Sequence, residues 1–291
     1  MKGIILAGGS GTRMFPTTKI ISKHLIPIYD KPMIYYPLST LMLANIKEIL
    51  IISTSSDMPM YIDLLGDGSN LGLSISYEIQ DKPNGIAEAF LIGEKFIGSD
   101  SVALILGDNI LYGKGLSKMM IDAIQFVKNE NKSIIYGYSV KNPSRYGVVE
   151  FDKDNNIISI EEKPKVPKSN HAIIGLYFYN NDVINYSKKI KPSKRGELEI
   201  TDINNLYIEN NTIKVNLLGR GFAWLDSGTP NALLSASNFI QMIEERQGLK
   251  ISCIEEIAYR MKFINFREFK ELVKNLPKSE YKNYLESINE C

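Results

Sequence analysis

The sequence predicts an α/β protein, a doubly wound mixed sheet with an added β-hairpin region and helices at its carboxyl end. Three observations predict it. Apolar runs at 3–7, 49–52 and 102–106 are short and stop at glycine or polar residues, as strands buried on both faces of a parallel sheet do. Segments of helical spacing lie between them: 36–46, which carries Leu38, Leu41, Met42 and Leu43, and 86–96. After Asn142 the pattern changes. Residues 146–151 and 157–161, separated by Asp154-Asn155-Asn156, read as a hairpin, and 172–179 as a further strand. Alternation of strand and helix over 1–140 is the mark of a doubly wound domain. Thr229-Pro230 reads as a helix start, threonine as cap and proline first in the helix, running to Arg246 and stopping at Gly248. Residues 253–289, with Lys and Glu interspersed, read as helical.

Bulk properties narrow the partners. The chain has 291 residues, 44% hydrophobic and 23% charged, an ordinary globular balance that buries enough apolar surface to fold without staples. With 34 basic and 33 acidic residues the net charge is +1, so no global field draws nucleic acid or an anionic membrane. No apolar stretch approaches the roughly 18 residues of a membrane span, and the run after Met1-Lys2 is too short for a secretion signal. Cys253 and Cys291 are expected to be free thiols in a reducing cytoplasm. A cysteine–histidine metal site is not expected, since only His24 and His171 could join them and both lie far off in sequence.

The segment Leu6-Ala7-Gly8-Gly9-Ser10-Gly11-Thr12-Arg13 follows the first strand. Ligands of open α/β sheets bind at the carboxyl ends of strands. Glycines there let backbone N–H groups approach phosphate oxygens closely. The segment is no P-loop, because no Gly-Lys-Ser/Thr follows. It is no dinucleotide fingerprint either, because the third glycine is replaced at Met14. Instead Arg13 closes it and Lys23 comes ten residues later, one a planar fork for phosphate and the other a point charge. A plain strand-to-helix turn is the alternative.

Gly8-Gly9-Ser10-Gly11-Thr12-Arg13 with Pro16 resembles the signature of sugar-nucleotide pyrophosphorylases. Ser22-Lys23-His24-Leu25-Ile26-Pro27-Ile28-Tyr29-Asp30-Lys31-Pro32-Met33 narrows the resemblance to the glucose-1-phosphate thymidylyltransferase family, whose members open the route to dTDP-rhamnose. Leu106-Gly107-Asp108-Asn109, Arg145-Tyr146-Gly147, Glu161-Glu162-Lys163-Pro164, Arg195-Gly196-Glu197-Leu198-Glu199 and Trp224-Leu225-Asp226-Ser227-Gly228 continue it, over about residues 1–265. The resemblance implies a Rossmann-like sheet of the nucleotide-diphospho-sugar transferase type. It divides the chain into a catalytic domain, 1–250, with a nucleotide-binding part at 1–140 and a sugar-binding part at 141–228, and a helical segment, 251–291, for assembly and regulation.

It also implies the chemistry. A phosphate oxygen of glucose 1-phosphate attacks the α-phosphorus of dTTP in line, and diphosphate leaves. Two polyanions meet, so catalysis is mostly positioning plus cations. The residues implied are Arg13, Lys23 and Lys163 as catalytic cations. Gly8, Gly9, Ser10, Gly11, Thr12, Gln80 and Gly85 would bind the nucleotide, and Asn109, Tyr146, Gly147, Glu161 and Gly175 the sugar. Asp108 and Asp226 would be the Mg²⁺ ligands, since Mg²⁺ takes one or two carboxylates and completes its shell with water and phosphate oxygens. A cytoplasmic homotetramer is implied, with a feedback site near Lys114, Ser252, Glu256 and Arg260.

Several positions depart from the family pattern. His24 stands for glutamine, Asn84 for aspartate, Ile174 for threonine, His171 for tyrosine, and Lys114 for histidine. Loss of a hydroxyl at Ile174 is expected to broaden sugar tolerance. Rival readings are a UTP-glucose-1-phosphate uridylyltransferase, a nucleotidylyltransferase of relaxed specificity, an NAD-dependent oxidoreductase, and a sugar-nucleotide sensor without catalysis. The oxidoreductase lacks an acidic residue after its second strand, where Ser53-Thr54-Ser55 lies.

Overall fold

The structure, a computed structural model, describes residues 1–9, 11–154 and 156–290. It has the expected α/β fold. The first strand, β1 (Lys2–Leu6), lies at the centre of the sheet. A small hairpin, β2 (Pro27–Ile28) and β3 (Lys31–Pro32), leads into α1 (Tyr35–Leu43) and β4 (Glu48–Ser53). Then come α2 (Met58–Leu65), β5 (Ser74–Ile79), α3 (Glu88–Ile92), α4 (Glu94–Ile97) and β6 (Val102–Leu106). β7 (Asn109–Gly113) and α5 (Leu116–Glu130) precede β8 (Ser133–Ser139), β9 (Gly147–Phe151), β10 (Ile157–Glu162) and β11 (His171–Tyr179). α6 (Asp182–Lys189), α7 (Ile200–Glu209), β12 (Ile213–Leu218) and β13 (Phe222–Asp226) follow. The chain ends in α8 (Pro230–Gln247), α9 (Ile254–Arg260), α10 (Phe266–Lys274) and α11 (Glu280–Glu286).

Among the described residues, nine strands form one mixed sheet. β1 lies between β4 and β6, parallel to both, with Leu6 opposite Ile52 on one side and Leu106 on the other. These three strands therefore end level. β11 runs antiparallel to β6 and β8, and the hairpin β9–β10 joins it at Ala172. Strands on both sides of residue 140 thus belong to one sheet. A separate ribbon pairs β13 with β7, Asp226 opposite Asn109.

Side-chain alternation along the central strands feeds two cores. Ile5, Ile49 and Ile51 pack with α1, α5 and the carboxyl-terminal helices, while Ile4, Leu50 and Ile52 pack with α3, α6 and α7. α5 buries Leu116, Met120, Ala123 and Val127, a helical stripe absent from the sequence-based expectation. The helix expected over 86–96 is two short helices that meet at Gly93, where a Cβ would press on Ile4 and Leu50 at 3.1 and 3.2 Å. The start of α8 is as expected: Thr229 Oγ1 accepts the Ala232 N–H at 3.3 Å, and Gly248 ends the helix with φ 67°. No helix among the described residues is long and apolar enough to cross a membrane. Cys253 is a buried free thiol; Cys291 lies outside the described residues.

One buried charge network pins the hairpin to the helices that follow the ribbon. The Lys31 ammonium, its side chain 1% exposed, bonds Asp30 and reaches Glu244 Oε1 at 2.9 Å, and Glu244 also accepts from Lys250 at 3.3 Å and from the Ile251 N–H at 2.8 Å. Removing Lys31 alone leaves the Lys250 ammonium shared between two carboxylates, Asp30 and Glu244, a buried charge imbalance that costs several kcal/mol, whereas removing Lys31 and Glu244 together leaves the Lys250–Asp30 pair in balance and costs little. Lys31→Met should lower the unfolding free energy by about 3 kcal/mol in a denaturant titration, and Lys31→Met with Glu244→Met should recover most of it. Equal losses in the single and double variants would contradict this account.

Candidate active site

The end of β6, at Leu106 and Asp108, opens into a cavity of ≈ 480 Å³, at the carboxyl end of a parallel strand where ligands of doubly wound sheets bind, while the turns after β1 and β4 border a separate groove of ≈ 310 Å³. The Ala7 N–H bonds Ile52, the Gly107 N–H bonds Leu6, and the Ser53 hydroxyl bonds Ala7, so the three strand ends are stitched together. Beyond Ala7 the chain turns through Gly8, Gly9 and Gly11; Ser10 lies outside the described residues. Gly11 adopts φ 58°, and a Cβ there would meet Thr18 at 2.8 Å. The Thr18 hydroxyl bonds the Gly11 carbonyl at 2.9 Å. Thr12 heads the short turn Thr12–Met14, which carries Arg13 into the cavity lining. Gly228 makes room for it: a Cβ there would lie 3.0 Å from both Arg13 Nη2 and Asp226 Oδ1.

Asp108 and Asp226, far apart in sequence, both line this cavity. The ribbon β7–β13 brings them together, and the Ser227 N–H and hydroxyl both bond the Asp108 carbonyl, at 3.2 and 2.8 Å. Asp108 Oδ2 accepts from Lys23 Nζ at 2.6 Å and Oδ1 from Asn109 Nδ2 at 2.9 Å. Burial pushes the Asp108 carboxyl up, but Lys23, His24 and the Asn109 hydrogen bond together bring it down to about 2. Asp226 Oδ2 accepts from the Tyr146 hydroxyl at 3.2 Å with Arg145 Nη2 at 3.7 Å, and Oδ1 from the Gly228 N–H at 3.1 Å. Among the described residues no group of three or more His, Cys, Asp or Glu gathers to hold a metal. Two oxygen donors with the rest of the shell open suit Mg²⁺ beside phosphates and do not suit a closed protein cage.

Asn109 lines the cavity with both ends of its amide engaged. Nδ2 donates to Asp108, while Oδ1 accepts from the Gly175 N–H at 3.0 Å and from Trp224 Nε1 at 2.6 Å. It is a strut joining β7, β11 and β13. Gly175 permits the approach, since a Cβ there would meet Leu106 at 2.7 Å and Asn109 at 2.8 Å.

Tyr146, Gly147, Lys163 and Gly175 line the far end of the cavity, but Glu161 does not. Glu161 is exposed, and the carboxylate facing the cavity is Glu162. The strand's period of two is the reason: Ile160 packs into the core, so residue 162 shares its face and 161 takes the other. Glu162 Oε2 accepts from the Thr201 hydroxyl at 2.7 Å, and Oε1 lies 3.5 Å from Arg195 and 3.6 Å from Lys163. The same alternation overturns the expectation for Ile174. Its side chain is fully buried in the core on the α1 and α5 side, while Ile173, Gly175 and Tyr177 line the cavity. No hydroxyl is lost from the cavity there. Arg145, Glu162, Tyr177, Thr201, Asn204 and Trp224 are lining residues absent from the expected set. Alternation from Ile160 points to Glu162, whereas no local pattern marks Thr201 or Asn204.

Gln80 and Gly85 sit apart from that lining, beside the glycines. Gln80 Oε1 would lie 3.3 Å from a Cβ on Gly8. Its Nε2 donates to Glu88 at 2.7 Å and to the Gly85 carbonyl at 3.2 Å. Asn84 donates to the other Glu88 oxygen at 2.8 Å. Gly85 has φ 108°, and a Cβ would fall 2.3 Å from the Leu198 carbonyl oxygen. Two loops from opposite halves of the chain therefore touch backbone to backbone.

Behind the cavity His24 is 3% exposed, with its Nδ1 3.4 Å from the Tyr61 hydroxyl, which in turn lies 2.8 Å from the Ser22 hydroxyl. It fills the space above Gly107, where a Cβ would come within 2.6 Å of the ring. Burial, then Lys23, push the imidazole down from 6.5 to about 3, so it is neutral near pH 7. The unfolded chain accepts a proton below pH 6.5 that the folded protein refuses until about pH 3; stability is full above 6.5 and falls as pH drops. In metal-free buffer the loss by pH 4 should be on the order of 3 kcal/mol, and His24→Gln should remove it. Parallel stability curves for the two proteins between pH 7 and 4 would refute this.

A second cavity of ≈ 470 Å³ lies between α1, the turn after β7 and the carboxyl-terminal helices. Ser252, Glu256 and Arg260 line it with Tyr112, Lys250 and Tyr284. Lys114 is exposed and does not line it, its neighbours Gly113 and Gly115 doing so instead.

Known proteins match this arrangement over almost the whole chain. A family model for nucleotidyl transferases matches residues 2–242. The glucose-1-phosphate thymidylyltransferase of Neisseria meningitidis serogroup A is 51% identical over 98% of both chains, and that of Mycobacterium tuberculosis 52% identical over the same shares. A Bacillus anthracis structure named for the same activity and solved with a sucrose is 41% identical, with a TM-score of 0.75 over 82% of this chain and 94% of its own. A UDP-glucose pyrophosphorylase bound to UDP-glucose superposes at a TM-score of 0.72 with 26% identity, over 83% of this chain and 98% of its own. The chain belongs to the nucleotidyl transferase family, among the glucose-1-phosphate thymidylyltransferases.

Proposed function

We propose that the protein transfers a thymidylyl group from dTTP to α-D-glucose 1-phosphate, releasing diphosphate and forming dTDP-α-D-glucose, the first step toward dTDP-rhamnose or a related dTDP-deoxysugar. The observation that carries this is one cavity lined at once by phosphate-binding cations, a carboxylate pair and a carboxylate able to grip hydroxyls. The new bond joins the sugar phosphate oxygen to the α-phosphorus, and the bond to the β-phosphate oxygen breaks with its electrons leaving on diphosphate. Backbone N–H groups of Gly8, Gly9 and Gly11 hold the triphosphate, and Arg13 meets the charge that accumulates on the departing diphosphate. Lys23 neutralises the phosphates, and Lys163 fixes the attacking sugar phosphate. Glu162 accepts from sugar hydroxyls, while Tyr146, Gly147 and Gly175 shape the space around the ring. Gln80 and Gly85 border the nucleotide base. Asp108 and Asp226 would hold Mg²⁺, which supplies positive charge to the phosphate oxygens when bound. The apolar side chains of Leu234 and Met242, each 61% exposed on α8, offer area for the contacts of a homotetramer. The second cavity is the place for a regulatory nucleotide. A cytoplasmic location suits a biosynthetic activity of this kind.

Two measurements test the reading. Diphosphate release should require dTTP, glucose 1-phosphate and Mg²⁺ together, with kcat/KM for dTTP above that for UTP; no release would leave a non-catalytic sensor, and preference for UTP a uridylyltransferase. Glu162→Gln should lower kcat/KM for glucose 1-phosphate by ~100-fold, the worth of hydrogen bonds to a charged group, whereas Glu161→Gln should stay within about twofold because the side chain is exposed. The reverse ranking would return the sugar contact to Glu161.

A further inference from the structure

Every carboxylate oxygen of the Asp108–Asp226 pair already has a donor. On Asp226 these are the Gly228 N–H, the Tyr146 hydroxyl and the more distant Arg145 guanidinium. On Asp108 they are the Asn109 amide and, at 2.6 Å, the Lys23 ammonium. The Lys23 contact alone puts a full positive charge within hydrogen-bond distance of a carboxylate that would bind metal. An ammonium and a divalent ion cannot both hold that oxygen, because unit and double charges a few ångströms apart repel strongly in a partly buried site. The side chains of Lys23 and Asp108 are each only 13% exposed, so water screens little of that repulsion.

Lys23 also has somewhere to go. It borders a second groove, ≈ 310 Å³, which it shares with Gly9, Gly11, Thr18 and Lys19. A lysine suits such a transfer: its charge is a point at the end of a flexible stem, with donors that rotate.

We propose that Lys23 is a resident counterion that occupies, on Asp108, the place of the divalent cation, and that it must swing toward the glycine-lined groove before metal binds tightly. A triphosphate lying along those glycines draws the ammonium off Asp108, so nucleotide and metal enter together and the free protein holds metal weakly. This rests on the reading of Asp108 and Asp226 as the metal ligands.

The test uses the whole chain without nucleotide and Mn²⁺ alone as probe, with the free aqueous ion counted by electron paramagnetic resonance. Lys23→Gln and Lys23→Met should each bind Mn²⁺ ~10-fold or more tightly than the wild type, a coupling of ordinary size. Lys163→Gln, which removes another cavity cation whose ion-pair partner is Glu162, should change the affinity less than about threefold. Asp108→Asn should abolish the tight binding of the Lys23→Gln background and remove the weak binding of the wild type, with thermal melting confirming that each variant folds. Unchanged affinity in both Lys23 variants, with binding still lost in Asp108→Asn, would overturn the counterion role and leave the metal reading intact. An equal gain in Lys163→Gln would overturn it too, since the cause would then be the general field of the cavity. Binding that survives Asp108→Asn and Asp226→Asn would bring down the metal reading and the inference with it.

Discussion

Charge balance around two largely buried carboxylates is the condition on which this site depends. Asp108 and Asp226 stand at the ends of neighbouring strands with side chains only 13% and 15% exposed, and a bare carboxylate there costs several kcal/mol. The fold meets the cost with donors from separate parts of the chain: Lys23 from the turn after the glycine loop, Asn109 from β7, Tyr146 and Arg145 from the entry to β9, and the Gly228 backbone. Those same cations are what a reaction between two phosphate esters needs. A cavity that satisfies its own acids is thereby prepared for anionic guests.

The second constraint is mechanical. Asn109 bonds Asp108, Gly175 and Trp224 at once, so its single amide ties the floor of the cavity to two walls. Gly85 against Leu198 makes a comparable join near the glycines. The two halves of the chain are therefore fastened at two points beside the cavity, and neither join tolerates an added side chain.

Much of this was legible in the sequence. Short apolar runs marked β1, β4 and β6 because strands buried on both faces have no polar side to disguise them. The glycines with Arg13 and Lys23 marked a phosphate site for a physical reason, close backbone approach plus cations. What could not be read was convergence. Asp226 reaches Asp108 only through the ribbon β7–β13, and the pairing of distant strands leaves no local trace. That Glu162 and not Glu161 faces the cavity was hidden for a related reason: a run of charges masks the alternation that decides which one faces inward, and only the buried Ile160 gives the phase. Ile174 was misjudged in the same way, its neighbours at 173 and 175 taking the cavity face. Asn109 was expected at a ligand; it lines the cavity and also braces the framework through its amide, a second task carried by hydrogen-bond partners and not by residue type.

Trp224 brings a consequence of a different kind. It is the only tryptophan of the chain. It lines the cavity, donates its indole N–H to Asn109, and meets the rings of Tyr146 and Tyr138 at 5.1 and 6.0 Å. Ultraviolet emission of the whole protein near the red edge of tyrosine excitation thus arises from one place, the wall of the cavity itself. Of the sixteen tyrosines, Tyr138 and Tyr146 are in ring contact with that single emitter. The molecule carries its own optical reporter of what occupies its binding space, without a label and without contributions from elsewhere in the fold.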